Sequence, residues 1–434
     1  MIKLFLTSII YIIVTFVPAI GQAMHFIRDT ETEEVILNYV RPIFKAAKLN
    51  PENARIALVN DNSLNAFVAG GQTIFIHTGL ILKAKTPDEM AFVLSHETGH
   101  IVGGHIVRGI QAYQKAQTTA LISTILGGLA AVAGGQPDAG IAVMMGGQAS
   151  ALGMFTHYRQ AEESAADRTA VDIMAKTGYS MAGFDGIMKT IQADEKLNTP
   201  SEESYLRTHP MTRNRIQDMK RFTKLTAPNT QDKKFDLIRA KLSGFLLPYN
   251  QVLKQYSGDT DADKYARSIA LYRKNQFNAS FILLDKLIKN NPDNPYFYEL
   301  KGQFLFENGQ PKQAVEYYQK ALQIKPDAPL IRLSYAQALL ETGDMNSIQN
   351  AEKELIFLTQ QHEVEPLAWQ LLARAYDRQR KKELASYAMA EYYQSIGSTV
   401  QARRSAKNLK DKFNDNPVIL QRIQDIIDLP EEQE

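Results

Sequence analysis

The chain has 434 residues, of which 44% are hydrophobic and 22% charged, and its formal net charge is +2 at pH 7. This length allows two or three domains with separate cores, while so small a net charge argues against a nucleic-acid-binding surface. The chain has no cysteine, which excludes a cysteine nucleophile, disulfide bonds, thiolate ligands for a metal and a lipid-modified N-terminal cysteine.

The first 23 residues have the pattern of a secretory signal peptide. Lys3 precedes an apolar stretch that breaks at Pro18, and Gly21-Gln22-Ala23 offers small residues at the minus-three and minus-one positions of a cleavage site. Cleavage near Ala23 would release the mature protein into the bacterial periplasm. The alternative is an uncleaved membrane anchor, although the apolar run is short for a bilayer span of roughly 20 residues.

The next segments predict a helix followed by short strands. Residues 24 to about 50 carry acidic residues early and apolar residues at helical spacing later. The segments ARIALVN (54–60) and QTIFIHTGL (72–80) are strand-like, and they lie around NAFVAGG (65–71), whose glycines permit a tight turn. Most of their side chains must be core, but an edge strand can also hold a peptide in extended form.

Residues 96–100 read HETGH and continue a helical pattern of apolar residues. His96 and His100 are four apart, so they project from one helix face and can bind one zinc ion from adjacent tetrahedral positions. Glu97 is rotated roughly 100° from His96, which places it beside the metal as a potential base. Gly99 costs about 1 kcal/mol relative to alanine inside a helix, which indicates close packing there. So short a motif also occurs by chance, and it needs a third ligand.

Two places in the sequence compete to supply this third ligand. His105 lies five residues beyond His100, whereas the metzincin motif HExxHxxGxxH needs six, so His105 is interpreted as a helix-end residue or a support behind a ligand. Glu163 and Asp167 are better candidates, because they are four apart on one face of a helix predicted within 157–175. Glu163 can bind the metal, and Asp167 can accept the spare ring N–H of a ligating histidine. A solvated acidic face is the alternative for this segment by itself.

Residues 118–155 are rich in glycine, alanine and methionine, and they divide at GGQPDAG (134–140) into two apolar halves. Each half has about 16 residues, which is short for a membrane span of roughly 20. We expect a buried or partly exposed helical hairpin here, with peripheral membrane contact as the alternative.

Helical pairs with a regular repeat follow from residue 263. Pro292 and Pro326 are 34 apart, each in a Pro-Asp pair, and the small and aromatic residues between them match a tetratricopeptide repeat. Three or four units continue in register, which predicts an α-solenoid whose concave face binds peptide-like partners. Basic clusters at 378–382 and 403–410 are either solvated helix surface or part of a binding face.

Four of these segments together resemble the HtpX/BepA-type family of gluzincin zinc endopeptidases. They are HETGH, the sequence E-x-x-A-D at 163–167, NAFVAGG before the metal helix, and THPMTRNRI at 208–216. With a signal peptide in front and repeats behind, the chain is similar to the periplasmic BepA-like branch over nearly its whole mature length. The sequence does not show the membrane spans of the integral branch, and the hairpin expected at 118–155 would be their soluble counterpart.

The resemblance implies a site with one zinc ion per chain. It assigns His96, His100 and Glu163 as zinc ligands, Glu97 as the catalytic glutamate, and Asp167 as the residue that orients a ligand.

His209 in the T-H-P stretch matches a family histidine near the active site, and Arg213 or Arg215 matches the arginine after it. His209 could stabilise the oxyanion of the reaction, or occupy the open metal position until substrate displaces it. The sequence leaves both roles open.

The sequence therefore predicts an α+β, mostly helical protein. A signal peptide (1–23) precedes a zincin-type metalloprotease domain (24–255) with a small sheet and the HExxH helix, a linker (256–262) and an all-α tetratricopeptide-repeat solenoid (263–430). The resemblance implies a periplasmic endopeptidase that cleaves envelope proteins, in quality control or assembly of outer-membrane proteins, and whose array contacts the envelope assembly machinery. The alternative is a chaperone or scaffold with a residual protease site. The presence of Glu97 favours the enzyme, and the two functions can coexist.

Overall fold

A computed structural model of the protein describes residues 25–105, 159–197, 209–222, 232–361 and 364–430, with the isolated positions 108, 109, 111, 117, 118, 120, 145 and 205. The expected signal peptide and nearly all of the expected hairpin at 118–155 lie outside these residues. Within the described part of the chain, no helix is long and apolar enough to cross a membrane.

Two compact units make up the chain. The first contains Met1–Arg28 and Ile36–Asp232, and the second contains Asp29–Val35 and Lys233–Glu434. The described elements of the first unit, in chain order, are β1 (Phe26–Ile27), α1 (Thr30–Ala46, whose first residues belong to the second unit), β2 (Arg55–Val59), β3 (Ala66–Ala69), β4 (Thr73–His77), α2 (Thr78–Lys83), α3 (Pro87–Gly103), α4 (159–177), α5 (Ala182–Leu197) and α6 (Arg213–Lys220).

The sheet of the first unit is mixed, with the strand order β1-β2-β4-β3. The central strands β2 and β4 are parallel, whereas β1 and β3 pair antiparallel with their neighbours. NAFVAGG does more than the sequence suggested, because it supplies strand β3 as well as the turn. Gly70 and Gly71 make that turn with φ angles of 58° and 91°, which residues other than glycine rarely adopt.

Helix α3 begins at a well-formed N-cap and lies deep in the first unit. The Thr86 side chain accepts a hydrogen bond from the Glu89 N–H, and Pro87 occupies the first helical position, where it loses no hydrogen bond. Every residue from Pro87 to Gly99 is buried. Its buried residues therefore lie on all sides of the helix and include polar ones such as Glu97.

Helix α4 crosses α3 at very short range. A Cβ atom added to Gly99 would lie 2.8 Å from the carbonyl oxygen of Ala166 and 2.9 Å from its Cα. The close packing that a glycine in the middle of α3 indicated is thereby confirmed. Ala166 lies between Glu163 and Asp167, so this contact brings both carboxylates opposite the histidines of α3.

The second unit is a stack of helices. They are α7 (Lys233–Leu246), α8 (Tyr249–Gln255), α9 (Asp261–Arg273), α10 (Phe277–Asn290), α11 (Pro295–Glu307), α12 (Pro311–Ile324), α13 (Pro329–Thr342), α14 (Met345–Thr359), α15 (Pro366–Arg378), α16 (Lys382–Ser395), α17 (Thr399–Lys407) and α18 (Pro417–Ile427). From α9 onwards, each packs mainly on its neighbours in sequence, as expected for a repeat array. Helices α7 and α8, which the sequence assigned to the protease domain, group with this unit.

The repeat pattern marks the core of this array. Ala314, Tyr318 and Ala321 of one unit are buried, and the corresponding small and apolar residues of neighbouring units are buried with them. Gly302 packs against the ring of Tyr318, where an added Cβ would lie 3.1 Å from ring atoms. The expected α+β, mostly helical fold with a C-terminal helical array is confirmed.

A buried charge cluster joins the segment Asp29–Val35 to the rest of the second unit. The Lys241 ammonium group lies 2.5 Å from Asp29, 3.4 Å from Glu31 and 3.5 Å from Glu299. The Tyr265 hydroxyl donates a 2.8 Å hydrogen bond to Glu31. Buried charges of this kind need partners, because an uncompensated one is strongly unfavourable.

We predict that Gly99→Ala destabilises the first unit by about 1–3 kcal/mol, because the added methyl group overpacks the contact between α3 and α4. Gly109→Ala is the matched control, since a Cβ added there meets nothing within 4 Å and alanine favours a helix. Urea unfolding followed by circular dichroism compares the two variants. Equal midpoints for Gly99→Ala and the parent protein would contradict the close contact.

Candidate metal centre

Four potential metal ligands from three segments converge in the first unit. Helix α3 supplies His96 and His100, α4 supplies Glu163, and the segment before α6 supplies His209. One ligand atom from each residue lies within 4.8 Å of the others. Within the described ranges, this is the single group of histidine and carboxylate side chains arranged to hold a metal ion.

Five of the separations between these four side chains are those of ligands that share one metal ion. His96 Nε2 lies 3.1 Å from His100 Nε2 and 3.2 Å from His209 Nδ1. The Glu163 carboxylate lies 3.4 Å from His96 Nε2, 3.5 Å from His100 Nε2 and 3.3 Å from His209 Nδ1. Ligands about 2.0–2.1 Å from a tetrahedral ion are separated by about 3.3–3.4 Å. The four residues therefore fit a four-coordinate metal ion.

The chemistry of the donor set leads to the same conclusion. Two imidazole nitrogens that both present lone pairs repel at 3.1 Å, the distance between His96 Nε2 and His100 Nε2. A proton or a metal ion between them removes this repulsion. A carboxylate completes the set and offsets the positive charge of a divalent ion.

A chain of buried polar contacts supports His96 from behind. Its Nδ1 atom lies 3.0 Å from Asp167 Oδ1. Arg215 binds Asp167 through two hydrogen bonds, from Nε at 2.6 Å and Nη2 at 2.8 Å. Arg215 Nη1 also lies 2.9 Å from Glu163 and donates a 2.7 Å hydrogen bond to the Pro210 carbonyl. One guanidinium group thus contacts a candidate ligand, the residue behind another ligand and the segment next to His209.

The sequence left Arg213 and Arg215 as alternatives for the family arginine. Arg215 is buried in the site, whereas Arg213 is exposed. Both residues lie in the first turn of α6, so only the direction of their side chains separates them.

Hydrogen bonds keep the carboxyl groups of Glu163 and Asp167 ionised in this buried setting. Burial raises the pKa of Glu163, but hydrogen bonds from His209 and His96 outweigh it and hold that pKa well below its usual range. Burial likewise raises the pKa of Asp167, but hydrogen bonds from Arg215 and His96 lower it to about 2. Glu163 therefore has the charge that a ligand requires, and Asp167 the charge that a hydrogen-bond acceptor requires.

Glu97 lies beside the four candidate ligands and does not belong to that group. Its side chain is buried, and Oε1 lies 3.4 Å from His209 Nε2. Burial raises the pKa of Glu97 above its ordinary value. A carboxylate with a raised pKa next to a metal position is suited to accept a proton from water.

His209 contacts both parts of the site, with Nδ1 directed at the ligands and Nε2 at Glu97. Tyr205 stacks on its ring, with centroids 4.7 Å apart and an interplanar angle of 28°. Sequence reasoning missed Tyr205. The available signal was its position four residues before His209, since one helical turn places such residues side by side.

Comparison with known proteins finds two family models that match parts of the chain. Residues 28–223 match the model of peptidase family M48, and residues 272–403 match the model of the cytochrome c-type biogenesis protein H TPR domain. The chain is 24% identical to a beta-barrel assembly-enhancing protease of Yersinia pestis, over 80% of this chain and 72% of the relative. The protein of that name from Escherichia coli K12 is 22% identical over the same shares. The metalloprotease LoiP of E. coli K12 is 26% identical over 39% of this chain and 62% of its own.

We predict that Glu163→Ala loses bound metal, whereas the neighbouring Glu162→Ala retains about one ion per chain, as a site with a single four-coordinate metal requires. Only Glu163 lies within ligand distance of His96 and His100. Metal analysis of the purified proteins by plasma mass spectrometry provides the measurement. Loss of metal from Glu162→Ala with retention in Glu163→Ala would shift the third ligand by one residue.

Proposed function

Since the chain joins an M48 peptidase domain to a TPR domain, we propose that this metallopeptidase uses zinc and cleaves envelope proteins in the bacterial periplasm. Its role would lie in the quality control or assembly of outer-membrane proteins. The observation that carries the proposal is the group of His96, His100, Glu163 and His209 with Glu97 beside it. Zinc suits three nitrogen donors and one carboxylate at this spacing.

Support for the cellular role comes from two sources. The relatives matched over most of this chain are named beta-barrel assembly-enhancing proteases, and residues 1–23 have the sequence pattern of a secretory signal peptide. Both point to an enzyme that meets outer-membrane proteins on their way to the membrane.

The residues of the site divide the work of peptide hydrolysis. A zinc ion held by His96, His100 and Glu163 would supply a Lewis acid that polarises the scissile carbonyl and acidifies water. Glu97 takes a proton from the attacking water and later delivers it to the leaving amine. Asp167 and Arg215 keep His96 and Glu163 in position throughout.

His209 takes the fourth position of the ligand group in the resting enzyme. The contacts of its Nδ1 atom, at 3.2 Å from His96 and 3.3 Å from Glu163, support this role. A substrate carbonyl or a water molecule would have to displace the ring before reaction. After displacement, the same imidazole would be available to stabilise the oxyanion.

Strand β3 gives an extended substrate a place to bind. It lies at an edge of the described sheet and packs against α3. A peptide that pairs with this edge would extend the sheet by one strand and pass the metal helix. We assign β3 as the main-chain binding edge of the enzyme.

The helical array provides the surface for larger protein partners, among them the envelope or outer-membrane assembly machinery. In the basic cluster at 378–382, two of the four basic side chains bind the array itself: Lys381 binds Glu352 at 2.7 Å, and Arg378 donates to the Leu340 carbonyl. Arg380 and Lys382 are exposed. In the cluster at 403–410, the side chains of Arg404, Lys407 and Lys410 are exposed. That cluster is therefore the better candidate for contact with a partner.

We predict that Glu97→Gln abolishes casein digestion while the metal content stays at about one ion per chain. The amide keeps the shape of the side chain but cannot accept a proton from water. Digestion of labelled casein and metal analysis on the same samples separate the two effects. Activity equal to that of the parent protein would remove Glu97 as the base.

We predict that His209→Ala changes the rate of proteolysis several-fold without unfolding the protein. An increase indicates that the ring restrains the resting enzyme, and a decrease indicates that oxyanion stabilisation outweighs the restraint. His25→Ala is the control, since that histidine is exposed at the start of the sheet. Unchanged kinetics on casein for His209→Ala would contradict both roles.

A further inference from the structure

His105 lies outside the group of four ligands, yet its ring contacts one of them. We propose that His105 is a positioning residue for His100, which accepts a hydrogen bond from His100 Nδ1–H and thereby leaves His100 Nε2 free to bind the metal. This inference rests on the proposed metal-dependent function and adds a residue to its machinery.

The contact between the two rings is short and buried. His105 Nδ1 lies 2.9 Å from His100 Nδ1, a hydrogen-bond distance. The ring centroids are 4.9 Å apart and the planes are nearly perpendicular, at 80°. Only 5% of His105 is exposed to solvent. Water therefore competes little for this hydrogen bond.

The direction of the hydrogen bond follows from the position of the ligands. His100 Nε2 faces the ligand group, at 3.1 Å from His96 Nε2 and 3.5 Å from Glu163. An imidazole binds metal through an unprotonated nitrogen, so a neutral His100 must carry its proton on Nδ1. His105 Nδ1 is then the acceptor, and the proton of the His105 ring is on Nε2.

The two ligand histidines of α3 thus have different supports. His96 Nδ1 faces the Asp167 carboxylate at 3.0 Å, whereas His100 Nδ1 faces a neutral imidazole. Both partners fix the tautomer of the ligand in front of them. An imidazole does this without adding another negative charge to a site that already contains the three buried carboxylates Glu97, Glu163 and Asp167.

The end of α3 is shaped to hold the His105 ring in place. Gly104 adopts the left-handed conformation, with φ 60° and ψ 30°, and its N–H binds the carbonyls of His100 and Ile101. This turn folds His105 back over the last helical residue. A Cβ atom at Gly103 would lie 2.2 Å from His105 Nε2 and 2.5 Å from its Cδ2. The ring can occupy this position only because residue 103 is a glycine.

This geometry gives two independent ways to disturb the hydrogen bond in the full-length protein. His105→Phe keeps an aromatic ring of similar size but has no acceptor. Gly103→Ala retains the histidine and forces its ring away. His105→Asn is the rescue variant, because its amide oxygen can accept in place of Nδ1. Gly109→Ala is the matched control for adding a methyl group to a helical glycine without steric conflict.

The measurement is the zinc dissociation constant, obtained by competition with a chromogenic chelator. We expect His105→Phe and Gly103→Ala each to bind zinc about 10–100-fold more weakly, the usual effect of losing a hydrogen-bond partner behind a ligand. His105→Asn should recover most of the affinity, and Gly109→Ala should match the parent protein. In nitrogen-15 spectra of the zinc-loaded parent, His100 should show a protonated Nδ1.

Zinc binding by His105→Phe within twofold of the parent protein would overturn the inference. Equal weakening in His105→Asn and His105→Phe would also overturn it, because the effect would then not depend on an acceptor. A parent protein that binds no zinc would instead contradict the proposed function. Thermal unfolding of the metal-free proteins is measured in parallel, and a large loss in His105→Phe alone would reassign His105 to the fold.

Discussion

The metal centre depends on the contact between two helix backbones, at Gly99 of α3 and Ala166 of α4. The carbonyl of Ala166 occupies the space where a side chain at residue 99 would begin. At this separation, a glutamate and an aspartate one turn apart on α4 reach the rings of His96 and His100 directly. Any larger side chain at residue 99 would widen the gap between carboxylates and imidazoles. Gly99 thus sets the distances between the carboxylates of α4 and the imidazoles of α3.

Compensation of buried charge is the second requirement of the site. Three carboxylates are buried in a small volume, and a single guanidinium group, that of Arg215, contacts two of them. A divalent ion would balance the remaining negative charge, and binding it would also relieve the repulsion between imidazole nitrogens. Because Arg215 also binds the Pro210 carbonyl, the position of His209 is coupled to the same network. Movement of the His209 segment would therefore change the contacts that Arg215 makes with Glu163 and Asp167.

Local spacing explains which parts of the site the sequence predicted. His96, Glu97 and His100 share one helix, Glu163 and Asp167 share another, and helical periodicity alone relates the members of each group. The repeat array could be predicted equally well, because each repeat buries residues at fixed intervals. Contacts that depend on chain reversal or long-range packing could not be predicted from the sequence. The strand within NAFVAGG, the choice of Arg215 over Arg213, the stacking of Tyr205 and the fold-back of His105 all belong to this second group.

The buried Lys241 cluster has a consequence for how the second unit reaches its native state. Lys241 and Asp29 are 212 positions apart, so their pairing is a contact of very high sequence separation, and such contacts form slowly. Until the segment Asp29–Val35 arrives, Lys241 has Glu299 as its nearest described carboxylate partner within the array. A fragment that starts at Lys233 would keep this lysine without the Asp29 and Glu31 carboxylates, and one that starts at 263 would also lack α7. Fragment boundaries drawn at the linker would thus remove structural parts of the array, and the N-terminal segment would have to be supplied in cis or as a peptide.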